Sequence, residues 1–302
     1  WNLSVERQLP GNNVLTVGYV GSSTSHLMGD VDLNAPPPGA GAVNPRRPFP
    51  KYGAIIYQSP YAHSTYHALQ VTFKRRFSSG FSLLTTYTWS HSLDNLLSNE
   101  DNVGGNLTQD PRNTNAEKAS SGFDVTHRFV SSAIYELPFG KAGKLLSDSK
   151  VARAVLGGWQ LGGIFVAQGG HPMTFAASPN PSNSTTPERP NRVCDGNLSG
   201  DQRTVDSWFQ VSCFALPANF TYGNSARGAV RSPGLVNVDA LVGRNFALTE
   251  KYNLEFRAEA FNLTNSVHFA MPGLTIGTAT AGKITATASP NRQIQFALRF
   301  RF

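Results

Sequence analysis

The chain has 302 residues, of which 40% are hydrophobic, 11% aromatic and only 15% charged, with 28 glycines, 19 prolines and a formal net charge of +7. That length can bury a sizeable core without a disulfide framework, and the aromatic content with so small a net charge excludes a disordered chain. No apolar run of 18 residues or more occurs, since the best stretch, residues 151–170, is broken by Arg153 and Gln160, and a transmembrane helix is excluded.

Apolar residues instead recur at every second position, the period of a strand with two unlike faces. Trp1, Leu3 and Val5 open the pattern, and a turn at residues 10–13 separates them from Leu15, Val17 and Tyr19. Leu69, Val71 and Phe73 follow, then Phe81, Leu83, Thr85, Tyr87 and Trp89, with Leu84 breaking the polar side. The segment 125–137 is less clean, because Val130 and Ile134 fall among its polar positions. Trp159, Leu161, Gly163, Phe165 and Ala167 make the next greasy face, and Val236, Val238, Ala240 and Val242 the one after. Tyr252, Leu254, Phe256, Ala258 and Ala260 alternate with Asn253, Glu255, Arg257 and Glu259. Last, Ile294, Phe296, Leu298, Phe300 and Phe302 alternate with Gln293, Gln295, Ala297, Arg299 and Arg301. Nine strands are predicted, over 1–8, 13–21, 64–77, 80–92, 125–138, 158–170, 236–248, 251–264 and 291–302. Residues 150–156 are the one weak helical pattern.

The connections alternate short and long, so an up-and-down meander puts the short ones at one end and the long ones at the other. That asymmetry, with strands long enough to span a bilayer, predicts an all-β fold: an antiparallel up-and-down transmembrane β-barrel segment with short periplasmic turns and long extracellular loops. Charges on the greasy faces, Arg7, Arg75 and Arg244, sit only near the turn ends, where they cost least. Aromatics collect at strand ends, with Tyr87 and Trp89 at one rim and Phe77, Phe81, Tyr135, Trp159 and Tyr252 at the other, as an interfacial girdle requires. The proline-rich stretches in the long connections are expected to be irregular surface loops. Such a barrel lies in the outer membrane of a Gram-negative type cell, in contact with its lipid. The terminal aromatics Phe300 and Phe302 suit the signal read by the barrel assembly machinery.

Seven stretches resemble TonB-dependent receptors, and among them the Oar-like group that carries a carboxypeptidase-regulatory-like domain. They are residues 64–71 (STYHALQV), 87–94 (YTWSHSLD), 123–130 (FDVTHRFV), 135–140 (YELPFG), 157–160 (GGWQ), 256–262 (FRAEAFN) and 292–296 (RQIQF). The resemblance covers essentially the whole chain and implies the C-terminal part of a larger barrel, closed by a plug from the same protein and energised by TonB. Residues 1–302 are expected to be that part alone, with the plug, the TonB-contacting segment and the export signal outside it; an odd strand count agrees with a portion of a barrel. The resemblance implies uptake of an unidentified ligand such as an iron chelate or a glycan. The same strands also fit a self-contained surface adhesin or glycan-binding β-protein.

No catalytic residues are assigned. There is no nucleophile elbow, phosphate-binding loop or dinucleotide fingerprint, and Glu255 and Glu259 lie two strand steps apart on one wall. No cofactor and no metal site are expected. His63 and His67 have helical metal spacing but lie at the entry to a strand, and residues 30–34 and 99–102 lack the full calcium-loop spacing, so solvated loops are expected there, with a loop calcium as the alternative. The cations are dispersed, which argues against nucleic acid. Cys194 and Cys213 share the longest loop and are expected to form a disulfide in an oxidising compartment. Asn253, Glu255, Arg257, Glu259, Arg299 and Arg301 are candidates for the lumen, either pairing with the plug or one another, or simply solvating the interior.

Overall fold

The computed structural model describes residues 1–97, 107–139, 151, 155, 157–249 and 251–302. Among the described residues nine long strands run in sequence: β1 (Asn2–Leu9), β2 (Asn13–Asp32), β3 (Ile56–Ser78), β4 (Phe81–Asp94), β5 (His127–Glu136), β6 (Trp159–Gln168), β7 (Leu235–Ala247), β8 (Asn253–Phe261) and β9 (Gln293–Arg301). Each pairs antiparallel with the next, so the sheet is a meander in chain order. Among the described residues it does not close, and β1 and β9 each have one partner. No described helix is long and apolar enough to cross a membrane, and the weak helical pattern at 150–156 lies largely outside the described residues.

Register carries the greasy face continuously across the sheet. Val5 lies opposite Val17, Val17 opposite Val71, Val71 opposite Tyr87, Tyr87 opposite Phe129, Phe129 opposite Ala167 and Ala167 opposite Val236. A second row, nearer the turns, runs Phe81, Tyr135, Leu161, Val242, Ala258 and Phe296. The face is uncovered: within the sheet Val17 is 38% exposed, Leu161 39% and Val236 55%, and on the edge strand β9 Phe296 is 72% exposed. A contiguous apolar face of this size is unstable against water and needs another apolar phase to cover it. At its turn-end rim Arg75 lies over the Phe81 ring, and Arg244 over those of Trp159 and Phe246, 4.3 Å from the latter's centroid. A guanidinium held this way satisfies its charge on an aromatic face at the level of the interface.

The hairpins explain the short ends. Ser79 and Gly80, at φ 53° and 84°, take the paired left-handed conformation that matches strand twist in a two-residue turn. At the other end β2 and β3 extend beyond the predicted limits of 21 and 64, reaching Asp32 and Ile56. The extension carries Ser22, Ser23, Thr24, Ser25 and His26, which offer no greasy face, so hydrophobic periodicity is silent there. Its register shifts between Thr24 and Leu27 and again between Leu27 and Gly29, and His26 takes φ 59° within that bulged segment.

The proline-rich stretches 35–38 and 178–190 are irregular, as expected, and 45–50 holds no more than part of one 3-10 turn, but the long connections as a whole pack against one another. They fold together as a cap, with two-residue strand pairs joining Pro172–Met173 to Val230–Arg231, Ala176–Ala177 to Thr275–Ile276, and Asn191–Arg192 to Phe214–Ala215. Among the described residues a buried apolar core lies here rather than in the sheet: Met173, Phe175, Phe209, Phe214, Val230 and Ile276 are all buried. The rings of Phe175 and Phe214 are 4.3 Å apart and those of Phe175 and Phe209 4.7 Å. The prolines fix φ within the irregular segments between these contacts.

Candidate functional site

The sequence-predicted lumen residues share the face opposite the greasy one, on β8 and β9. Glu255 accepts from Arg257 Nε and Arg301 Nη2, each at 2.6 Å, and Glu259 accepts from Gln295 Nε2. Asn253 lies opposite Arg301 in register, and Arg299 opposite Glu255. The two carboxylates are therefore satisfied within the wall. Phe300 stacks on Tyr252 and Phe302, and both terminal phenylalanines are exposed.

The polar face is not polar throughout. Leu84, Ile134, Ile164, Leu241 and Phe261 line a concavity of about 510 Å³ that runs from the turn end of β3 to the far end of β8, floored by Gly162 and Gly163. Leu84 and Ile134 are residues that broke the alternation in the sequence.

Nearer the cap, the same face holds a polar cavity of about 490 Å³. Its floor is one cross-strand row: Gln70 opposite Thr88, Thr88 opposite Arg128, and Arg128 opposite Gln168. Neighbouring strands are about 4.8 Å apart, so these four side chains stand side by side. Tyr66 and Phe123 line it nearer the cap, with Phe123 54% exposed, and His171 completes the wall.

The cavity's wall toward the cap is fixed by Asp124, which is 2% exposed. Its Oδ1 accepts the Ser92 amide at 2.7 Å, and its Oδ2 meets Arg231 Nη2 at 2.5 Å and His91 Nδ1 at 3.3 Å. Ser90 Oγ donates to the Val125 carbonyl, and the hydroxyls of Ser92 and Ser121 bond each other. By contrast the side chains of Gln70, Thr88, Arg128, Gln168 and His171, and the Tyr66 hydroxyl, make no hydrogen bond or ion pair with other described residues. Six polar groups thus face one cavity without partners among the described residues. Nothing in the alternation distinguished them from other polar-face positions, because their meeting depends on register.

The cap above is tied down by charge. Arg227 meets Asp94 at the end of β4, and Arg189 meets Glu117 at 2.5 Å. Cys194 and Cys213 are joined to each other, and Cys213 packs in the cap core. The residues 30–34, expected to be solvated, are partly an anchor: Asp32 is 2% exposed, and its Oδ1 accepts the amides of Asn34 and Ile55. Asn34 is fully buried, and its side-chain amide donates to the carbonyls of Phe49, Tyr52 and Gly53. Residues 99–102 lie outside the described residues. His67 Nδ1 is engaged by the Tyr19 hydroxyl at 2.7 Å, and His127 Nδ1 by Tyr87 at 2.8 Å, both at the cap-side rim of the greasy face. Among the described residues no group of three or more potential ligand side chains could hold a metal.

This arrangement defines a membrane-spanning β-sheet of the outer-membrane type. A family model described as an outer membrane beta barrel domain matches residues 1–295, and the chain belongs to that family. Among solved structures it is similar to the outer membrane transporter YddB from Escherichia coli, with a TM-score of 0.52 and 9% identity over 99% of this chain and 31% of that one. It is also similar to BauA, the ferric preacinetobactin receptor from Acinetobacter baumannii, at a TM-score of 0.45 and 11% identity over 99% of this chain and 29% of that one. The chain thus spans about a third of the length of these proteins. No curated protein sequence matches it significantly. The greasy face meets outer-membrane lipid, and the protein is an outer-membrane protein with a transporter-like fold.

Proposed function

We propose that this chain is the C-terminal part of the barrel of a TonB-dependent outer-membrane receptor of the Oar-like kind, and that it serves energised uptake of a ligand. The single observation that carries the reading is the polarity of the two ends: a cross-linked cap above a polar cavity at one end, tight turns at the other. A soluble binding protein has no need of an uncovered apolar face of this extent, whereas a lipid-facing wall does. The open edges of β1 and β9 support further strands from the same protein, because unpaired strand edges are not stable in hydrocarbon. In this reading a plug from outside the chain fills the lumen, and its surface meets the apolar concavity at Leu84 and Ile164 and the charged rim at Arg299 and Arg301. TonB acts through that region, and the barrel assembly machinery reads Phe300 and Phe302.

The test is uptake by cells carrying the full-length protein, with and without TonB, together with the intact mass of the native polypeptide in the outer-membrane fraction. A much longer polypeptide and loss of ligand accumulation without TonB are expected. A native chain that begins close to Trp1, or uptake indifferent to TonB, would overturn the reading and favour an adhesin.

A further inference from the structure

We propose that the row Gln70–Thr88–Arg128–Gln168 is a binding site for an acidic saccharide, a hydroxyl-rich ligand carrying a carboxylate. The inference rests on the outer-membrane receptor reading and names the chemistry of its ligand.

Arg128 carries the charge argument. The carboxylate of the cavity, Asp124, is occupied by Arg231, His91 and the Ser92 amide, and no described carboxylate lies within ion-pairing distance of Arg128. A guanidinium facing a concave site without an internal counter-charge attracts an anion, and its planar fork matches a carboxylate with two parallel hydrogen bonds. The neighbours of Arg128 in the row are a neutral hydroxyl and a neutral amide, Thr88 and Gln168. Phosphoryl groups are generally met by several cations, and this floor offers one. The floor therefore suits a single negative charge.

The rest of the site has the chemistry of hydroxyl recognition. Gln70 and Gln168 each present two donors and an acceptor, and the Tyr66 and Thr88 hydroxyls can give or accept, so the row can meet hydroxyls of either sense. Tyr66 and Phe123 offer flat apolar surface to the C–H face of a pyranose ring. The cavity's size falls in the range of small-ligand sites. It lies on the lumenal face directly below the cap, so a ligand held there has passed the loops and not yet crossed the wall.

The experiment is calorimetry on the purified full-length protein in detergent, with a hexuronate disaccharide and its neutral hexose counterpart as probes. The acidic probe is expected to bind about tenfold or more tightly than the neutral one, the scale of a charge-assisted hydrogen-bonded pair. Arg128→Gln is expected to remove that preference and leave the two probes equal. Gln168→Ala is expected to weaken both probes together. Equal affinities for the unmodified protein, a preference that survives Arg128→Gln, or no binding of either probe would each overturn the proposal. Heat-modifiable migration of each variant from the outer-membrane fraction establishes that it is folded. Failure of the saccharide assignment leaves TonB-dependent uptake intact, whereas failure of the receptor reading abolishes that dependence whatever the probes do.

Discussion

Arg189 and Glu117 are 72 residues apart in the chain and meet in a buried ion pair of 2.5 Å, their side chains 6% and 1% exposed. The pair joins the connection after β4 to the connection after β6. Gln109 completes it: its amide N–H donates to Glu117 Oε1, and its Oε1 accepts the Arg189 amide. Removing one partner strands the other charge in the cap interior, which typically costs about 3–5 kcal/mol. Glu117→Ala should therefore open the cap to protease while the sheet stays heat-modifiable. The double replacement Glu117→Leu with Arg189→Met should be milder than either single change, because it leaves no orphan charge.

Cys194 and Cys213 close a segment of the same cap. The entropy removed from the unfolded chain by a loop of this size is worth about 3 kcal/mol in the loop-closure account. Reduction with dithiothreitol, or Cys194→Ser with Cys213→Ser, should lower the unfolding temperature of the cap. Scanning fluorescence through Trp208, which packs against the cap core, reads that transition. An unchanged transition would mean the core holds the segment unaided.

Glu188 gives the cap a pH dependence. It is 3% exposed, its Oε1 accepts the Gly223 amide at 2.7 Å, and its Oε2 has no partner among the described residues. Burial pushes its carboxyl above the usual 4.5. The protonated form is thus favoured by folding. Its contribution to stability is complete below the unfolded pKa and is lost as pH rises through the raised folded value. Protease resistance of the cap should accordingly decline from pH 4.5 upward, and Glu188→Gln, which mimics the protonated state, should flatten the decline.

The lipid face makes a graded prediction. Phe165 lies in the middle of β6 and Tyr252 at the turn-side rim. An arginine at mid-bilayer costs about 2–4 kcal/mol, and about 0–1 near the interface. Phe165→Arg should shift the denaturant midpoint of the full-length protein in vesicles well below that of Tyr252→Arg. Equal shifts would contradict the assignment of depth.

The strands were readable where one face is greasy, since alternation across Leu254–Ala260 or Ile294–Phe300 admits one backbone and one orientation. Beyond the lipid that signal disappears, which is why Ser22–Asp32 of β2 and the start of β3 were missed. The cap was unreadable for a different reason. Phe175, Phe209 and Ile276 come from distant segments with no local period, so alternation says nothing of their meeting. The cavity row fell between these cases. Thr88 and Arg128 were visible as polar-face residues, but only the register of β3 to β6 sets them beside Gln70 and Gln168. Glu255 and Arg257 were the more conspicuous charges, and the structure places them in pairs that satisfy each other.

The central claim is that the greasy face meets lipid with the cap outside the cell and the tight turns beneath the membrane. Single cysteines at Gln202, Ser79 and Phe296 in the full-length protein, treated on intact cells with a membrane-impermeant maleimide, test it directly. The exposed cap position Gln202→Cys should label at once, the turn position Ser79→Cys only after the outer membrane is permeabilised, and Phe296→Cys not at all while the bilayer is intact. Rapid labelling of Phe296→Cys, or of Ser79→Cys on intact cells, would contradict the claim.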